Sequence, residues 1–194
     1  MNPIETLGLA LGAGFSSGLN LYATVATLGL LQRYGVMSLP PGLQVLSHPW
    51  VLGIAIALYL VEFLADKIPF FDTIWDAIHT FIRPPAAALL TYAAAGAAPA
   101  EWRWGAALLA GGVALTSHGT KASARAAVNT SPEPLSNWVL SFGEDVLAVW
   151  LTWMATAHPL ATTIIVVALV ATSAILLYYL FRFARRALLR LFET

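Results

Sequence analysis

Four acidic residues stand out in this sequence because they border long stretches without charge: Glu62, Asp66, Glu144 and Asp145. A carboxylate at the centre of a bilayer costs at least about 2.5 kcal/mol, so it is normally paired, protonated or hydrated. Glu62 and Asp66 are four residues apart and would share one face of a helix. The pattern predicts a buried site for a proton or a cation, and the alternative is a structural network of ion pairs.

Two basic residues with the same spacing, Lys121 and Arg125, are the expected partners of these acids. Together with His118, Ser123 and Asn129 they are also able to cradle a phosphate or a carboxylate. The alternative for the basic pair is anchoring at a membrane surface, because Lys and Arg are concentrated on one side of a membrane protein.

A second polar group lies near the middle of the first uncharged stretch, where Ser16, Ser17 and Asn20 stand beside Gly14 and Gly18. A membrane helix that breaks at such a place offers backbone groups to a ligand. The alternative is ordinary hydrogen bonding between helices, worth about 1 kcal/mol or less per contact. The candidate binding residues of this segment and of its counterpart near residue 118 are Ser16, Ser17, Asn20, Tyr22, Ser117, His118 and Thr120.

A third polar set consists of Asp72, Asp76, His79 and Arg83, whose spacing places them along one stripe of a helix. Apolar residues fill the other side, which is typical of an amphipathic helix in a membrane interface, here over about 70–83. The alternative is a membrane enzyme in which two carboxylates and an imidazole bind Mn²⁺, Fe²⁺ or Zn²⁺. The apolar complement favours the interfacial helix, so no cofactor is predicted.

Composition determines the setting in which these groups act. Of the 194 residues, 59% are hydrophobic and 10% are charged, whereas a soluble domain has roughly one quarter charged residues. The sequence therefore predicts an integral membrane protein. A net charge of zero gives no attraction to nucleic acid, and the absence of cysteine excludes disulfides and thiolate chemistry. No nucleophile-elbow, phosphate-loop or zinc-protease motif occurs, so an enzyme is not expected.

Six membrane-spanning helices are expected, because each needs about 20 largely apolar residues. They cover about 4–31, 48–66, 84–98, 104–124, 137–156 and 160–181, with a break at the His158–Pro159 step. Eight of the ten basic residues then lie on one side, so the positive-inside rule places both termini in the cytoplasm. If the short third segment turns back instead of crossing, five spans result and the N-terminus is reversed.

The two halves of the chain show an internal similarity. Residues 13–20 align on 113–120, and 46–52 align on 135–140 with one gap. Three spans in each half would insert the halves in opposite directions, and inverted repeats that meet near the midplane are a recurring plan of transporters. The predicted units are a first repeat over 1–98, a second repeat over 99–181 and a basic cytoplasmic tail over 182–194.

Five motifs carry a resemblance to a known family. They are Gly-Leu-Asn-Leu-Tyr-Ala-Thr at 18–24, Glu-Phe-Leu-Ala-Asp-Lys-Ile-Pro at 62–69 with its continuation through 72–84, Ser-His-Gly-Thr-Lys-Ala-Ser-Ala-Arg at 117–125, Asn-Thr-Ser-Pro-Glu-Pro at 129–134 and Glu-Asp at 144–145. Together they resemble a bacterial family of membrane proteins known only as domain of unknown function 4126. The resemblance extends over most of the chain. It implies the membrane architecture and no particular activity.

We therefore expect a small multi-pass transporter or channel of the bacterial inner membrane that moves an ion or a small solute and forms a homodimer in lipid. The solute would bind between 12–24 and 111–125, and the four acidic residues would bind the coupling proton or cation. One alternative is a carrier or flippase for a phosphate-bearing lipid, bound by Lys121 and Arg125. Another is a non-catalytic scaffold or assembly protein whose polar network is structural.

Overall fold

The computed structural model describes residues 3–68, 70–96, 98–129 and 134–192, and within these ranges the chain is helical without strands. The elements follow in the order α1 Pro3–Arg33, a 3₁₀ helix Pro41–Ser47, α2 Pro49–Ala65, α3 Phe71–His79, α4 Arg83–Ala94, α5 Ala100–Val128, α6 Pro134–Ala157 and α7 Pro159–Phe192. The predicted all-helical class is confirmed.

Prolines begin several of these helices, because the ring holds φ near the helical value and the first helical residue needs no N–H. Pro49 begins α2, directly after His48, whose ring nitrogen accepts the N–H of Trp50. Pro159 begins α7, and α6 ends two residues earlier at Ala157. The break predicted at the His158–Pro159 step is therefore confirmed.

Helix α1 is two arms joined at Asn20, which has an extended backbone (φ −150°, ψ 102°). An unbroken helix of this length would extend about 46 Å. Instead, Glu5 and Leu9 of the first arm line the same cavity as Met37–Pro40, which follow the second arm. The chain therefore reverses at Asn20 and forms a helical hairpin with its two outer ends side by side. The sequence predicted a single crossing segment over 4–31, and this prediction is corrected.

The first arm of the hairpin packs directly on the backbone of α5. A Cβ on Gly14 would lie 2.9 Å from the carbonyl oxygen of Ala110, and one on Gly18 would lie 2.3 Å from that of Ala114. Only glycine permits this approach, which is common where helices pack closely through small residues. The two segments aligned as a repeat thus run side by side in the same direction. Inverted repeats would run in opposite directions, so the packing gives the predicted inversion no support.

The hairpin defines two ends of the fold. At the open end, Gly8 of the first arm approaches Pro159 at the start of α7. At the tip end, the carbonyl oxygen of Leu19 lies 3.0 Å from Nζ of Lys121. The last turn of α2, α3, the first turn of α4, the end of α5 and the first half of α6 all lie at the tip end, where charged side chains of these elements meet.

By length and composition, one described helix is able to cross a membrane, namely α7 over Pro159–Phe183. The 3₁₀ helix and α2 would form a second such span if they are counted together, although they are bent by 69°. The number of six spans stays a prediction.

In α3, polar and apolar residues are distributed in the opposite sense to that of a surface helix of a soluble protein. In α3 the stripe of Asp72, Asp76 and His79 is buried, whereas Ile74 is 61% exposed and Ile78 is 52% exposed. The predicted amphipathic helix therefore exists, and its polar face points into the protein. An exposed apolar face of this kind is unusual on a soluble domain.

Candidate functional site

The interior of the tip end contains a cluster of ionisable side chains, called the charge cluster below. Its members are the cations Arg83, Lys121 and Arg125 and the carboxylates Glu62, Asp66, Asp72, Asp76, Glu144 and Asp145. Apart from Glu144, whose side chain is 12% exposed, every member is at most 5% exposed. Helix ends bring these residues together, so no single element could form the cluster alone.

Lys121 lies at the centre of the cluster with its ammonium surrounded by oxygen atoms. Nζ donates to the carbonyl of Leu19 at 3.0 Å, to Glu62 Oε1 at 3.2 Å and to Asp66 Oδ2 at 2.8 Å. Glu144 Oε2 lies 3.6 Å from the same nitrogen. The predicted pairing of Lys121 with Glu62 and Asp66 is confirmed.

Arg83 joins the hairpin, α2 and α5. Nη2 donates to Glu62 Oε1 at 2.7 Å, and Nη1 donates to the carbonyl of Gly18 at 2.8 Å. Nη1 also lies 2.8 Å from Nδ1 of His118. Because a guanidinium has no acceptor, Nδ1 of His118 accepts and its Nε2 carries the proton, which is donated to the carbonyl of Asp76 at 3.0 Å. His118 is therefore a neutral bridge in this arrangement.

Arg125 extends the cluster towards α6. Its Nη1 donates to the carbonyl of Asp66 at 2.7 Å, and its Nη2 donates to the carboxylates of Asp66 and Glu144. Asp72 is more remote, with Oδ2 at 3.9 Å from Nη1, and it accepts from the amide of Asn129 at 2.9 and 3.0 Å.

The tip residue Asn20 connects the backbone break to the cluster. Its Oδ1 accepts the N–H of Ala23 at 2.9 Å, so the side chain caps the first turn of the second arm. Its Nδ2 donates to Asp145 Oδ1 at 2.9 Å. The last carbonyls of the first arm accept hydrogen bonds from cluster cations, which is favourable because a helix C-terminus carries partial negative charge.

The structure brings most of the predicted binding residues to this place, but not all of them. Ser117 donates to the carbonyl of Phe15 at 2.9 Å and so joins α5 to the hairpin. Ser16 and Ser17 are buried beside it, and their hydroxyls have no hydrogen-bond partner among the described residues. Thr120 donates to a carbonyl one turn earlier in α5, away from the cluster.

Tyr22 and the predicted stripe of α3 lie at the edge of the cluster. The hydroxyl of Tyr22 is 3.0 Å from Nε2 of His79, and the other ring nitrogen of His79 is 2.8 Å from the carbonyl of Trp75. Both nitrogens of the imidazole are thus engaged, and Asp72 points away to its amide partner. Over the described residues no group of three or more His, Asp or Glu side chains is placed to hold a metal ion.

Asp76 is the least well compensated carboxyl of α3. Its Oδ1 lies 3.5 Å from Nη2 of Arg83, and neither carboxyl oxygen has a hydrogen-bond donor among the described residues. Burial raises the pKa of Asp76 to about 6, and the charges of Lys121 and Arg83 only partly oppose this shift.

Arg83 is not among the binding residues predicted from the sequence. A signal for it existed, because Arg83 continues the spacing of the polar stripe through Asp72, Asp76 and His79 by one more turn. It was interpreted only as part of an interfacial helix and as a cytoplasmic charge. The structure places it at the start of α4, fully buried.

Fold and site together define an all-helical protein with an exposed apolar surface and a buried charge cluster at the tip of a helical hairpin. The family model described as Domain of unknown function (DUF4126) matches residues 7–179 of the chain. The chain belongs to this family, as the five motifs indicate. Comparison with curated proteins and with solved structures found no match.

Proposed function

We propose that this protein is a membrane transporter or channel for an ion or a small solute, with a proton or cation bound in the charge cluster. The observation that carries the proposal is the contact between a broken, re-entrant helix and an unbalanced set of buried charges. Discontinuous helices whose ends face charged groups form the binding sites of many transporters.

The charge balance supports the binding of a cation or of protons. Six carboxylates face three buried cations, and counting the partly exposed Lys67 at the rim still leaves carboxylates in excess. A surplus of ionised carboxylates is not tolerated in an interior of low dielectric constant. Protons or a bound cation must therefore neutralise it, so the charge state of the cluster depends on the solution on one side of the membrane.

A membrane setting is supported by the exposed apolar faces of α3 and α7. In this setting the chain passes between the two ends five times, in α2, α4, α5, α6 and α7, of which α7 alone has the length and hydropathy of a full span by itself. Helix α4, with 12 residues, is shorter than a full span. Helix α3 then lies at the tip-end surface, and the hairpin enters from the opposite side. Arg33 and Arg103 then lie at the open end and the other basic residues at the tip end, which the positive-inside rule assigns to the cytoplasm. The N-terminus is then outside, which reverses the orientation expected from six crossings.

The two alternatives differ in what they need from the cations. A carrier of phosphate-bearing lipid needs free cationic groups, but each of Arg83, Lys121 and Arg125 donates to carboxylates of the cluster. The geometry therefore favours the ion site over a phosphate site. A structural scaffold would have a dense paired network as well, so this alternative is separated by experiment.

The test is flux into liposomes that contain the full-length protein. Proton, Na⁺ and K⁺ fluxes are followed with indicator dyes inside the vesicles, with and without an external mixture of amino acids, amines and organic acids. We expect flux above protein-free liposomes, loss of that flux in Glu62→Gln, and normal flux in Glu101→Gln. Glu101 is the matched control because it is an exposed glutamate at the far end of α5. Wild-type protein that gives no flux under any of these conditions contradicts the proposal and favours a scaffold.

A further inference from the structure

We propose that Asp145 is a proton-binding carboxyl of the cluster and that its proton controls the attachment of the hairpin tip through Asn20. The assignment rests on the proposed function in naming this proton as the coupling ion. It uses a difference between Asp145 and the other five carboxylates.

Each of the other carboxylates has a cation close by. The shortest separations are Glu62 to Arg83 at 2.7 Å, Asp66 to Lys121 at 2.8 Å, Asp76 to Arg83 at 3.5 Å and Asp72 to Arg125 at 3.9 Å, and Glu144 pairs with Arg125. Among the described residues, Asp145 is the one member of the cluster without a Lys, Arg or His nitrogen within 4.0 Å.

Asp145 is nevertheless buried, with 5% of its surface exposed. Its Oδ1 accepts from Asn20, and its Oδ2 has no hydrogen-bond partner among the described residues. An ionised carboxylate whose neighbouring donors, Asn20 and Tyr59, are both neutral is poorly compensated in an apolar interior, so a proton on Oδ2 is favoured because it removes the charge.

The polar and charged groups around Asp145 come from α1, from α2 and its end, and from α5, besides α6 itself. They are Asn20 of α1, Tyr59 and Glu62 of α2, Asp66 and Lys67 after α2, Lys121 of α5 and the adjacent Glu144. Negative charge on the neighbouring acids favours the protonated form of Asp145, whereas the two lysines, neither of them within 4.0 Å, favour the ionised form.

Protonation changes the strength of the contact with the tip. An amide that donates to an ionised carboxylate makes a charge-assisted hydrogen bond, which is roughly twice as strong as a neutral one. Asn20 is also the cap of the second arm, so its Nδ2 contact with α6 and its Oδ1 contact with Ala23 share one side chain. Proton uptake by Asp145 therefore weakens the hydrogen bond that holds the hairpin tip to α6, and proton release strengthens it.

Infrared difference spectroscopy of the full-length protein in lipid nanodiscs tests the assignment. The titration uses an Asp76→Asn background, because Asp76 is also expected to titrate. From low to high pH it should remove a carboxylic-acid C=O band, and this band should be absent when Asp145→Asn is added and present when Glu101→Gln is added. Asn20→Ser should retain the cap, because serine is also a good N-cap residue, but its shorter side chain cannot reach Asp145. The frequency of the Asp145 band should therefore shift in Asn20→Ser, a change that a purely structural role would not cause.

The outcomes separate this assignment from the transport proposal. In the Asp76→Asn background, a titrating band that is unchanged by Asp145→Asn overturns the assignment, even if the wild-type protein carries ions in liposomes. A band that Asp145→Asn removes supports the assignment, even if no flux is observed and the transport proposal fails. If Asp145→Asn does not fold, the band shift in Asn20→Ser decides, and an unshifted band overturns the assignment.

Discussion

Replacement of Lys121 by methionine perturbs the charge balance of the cluster most directly. The ammonium donates to Leu19, Glu62 and Asp66, and the side chain has no exposed surface. Methionine retains an unbranched apolar stem but removes the charge and all three hydrogen bonds. Removal of one partner from a buried ion pair typically costs about 3 to 5 kcal/mol. We expect Lys121→Met to lower the free energy of unfolding by about this amount.

Neutralising the acidic partner of this ion pair should lower the free energy of unfolding by less than neutralising Lys121, because carboxylates outnumber cations in the cluster. Glu62→Gln removes one negative charge from the surplus, and the amide oxygen is still able to accept from Arg83 and Lys121. A hydrogen bond to a charged group contributes roughly 1 kcal/mol more than a neutral one, and Glu62 accepts two, so we expect a loss of about 1 to 2 kcal/mol.

Both free energies are measured by denaturant titration in detergent micelles, followed by the fluorescence of the seven tryptophans. Lys67→Met is the matched control, because Lys67 is only partly buried and its Nζ lies over the ring of Phe63 rather than inside the cluster. We expect the control to lose less than about 1 kcal/mol. Equal losses for Lys121→Met and Glu62→Gln would refute the argument from charge surplus, as would a loss for Lys121→Met no greater than that of the control.

Three further predictions follow from the fold and from α3. Because burial raises the pKa of Asp76 from 3.8 to about 6, the folded state binds this proton more tightly, so stability should fall by up to about 3 kcal/mol as pH rises from 3.8 to about 6. Thermal unfolding across this range checks the fall, which Asp76→Asn should reduce. Gly18→Ala should lower the free energy of unfolding by about 1 to 3 kcal/mol in the same denaturant titration, because its Cβ would meet the backbone of α5. Gly112→Ala is the control, because a Cβ there has open space around it, and it should not lower the free energy of unfolding. Since the chain has no cysteine, Tyr34→Cys and Arg182→Cys each introduce one thiol, and an impermeant thiol reagent added to intact cells should label only Tyr34→Cys; labelling of both would contradict the proposed orientation.

The pairing inside the cluster was predictable because it depends on local spacing. Two acids and two bases, each pair one helical turn apart, present matching faces when their helices pack together, and the distances from Lys121 to Glu62 and Asp66 agree with this. The role of Arg83 was less accessible. Arg83 begins α4 directly before two prolines. At a helix end the sequence contains no repeating pattern that would indicate which side of the chain is buried.

The reversal of α1 at Asn20 could not be predicted from hydropathy. An uncharged stretch has the same composition whether it crosses the membrane or turns back, and the glycine and serine residues indicate only where a break is tolerated. For α3 the sequence likewise distinguishes two faces, but periodicity does not indicate which face is buried. In a soluble protein the apolar face would be inside; here Asp72 and Asp76 are inside and Ile74 is outside.

The tip of the hairpin and the charge cluster depend on each other for their hydrogen bonds. A helix that ends inside a protein leaves carbonyl groups that need donors, and at the first arm these donors are Arg83 and Lys121. The same two cations also neutralise Glu62. A change in the charge of the cluster therefore alters the hydrogen bonds available to the end of the first arm, while Asn20 transmits the state of Asp145 to the start of the second arm. In the proposed transporter both arms would therefore respond to the same set of protons and cations, which is the coupling that a gated ion pathway requires.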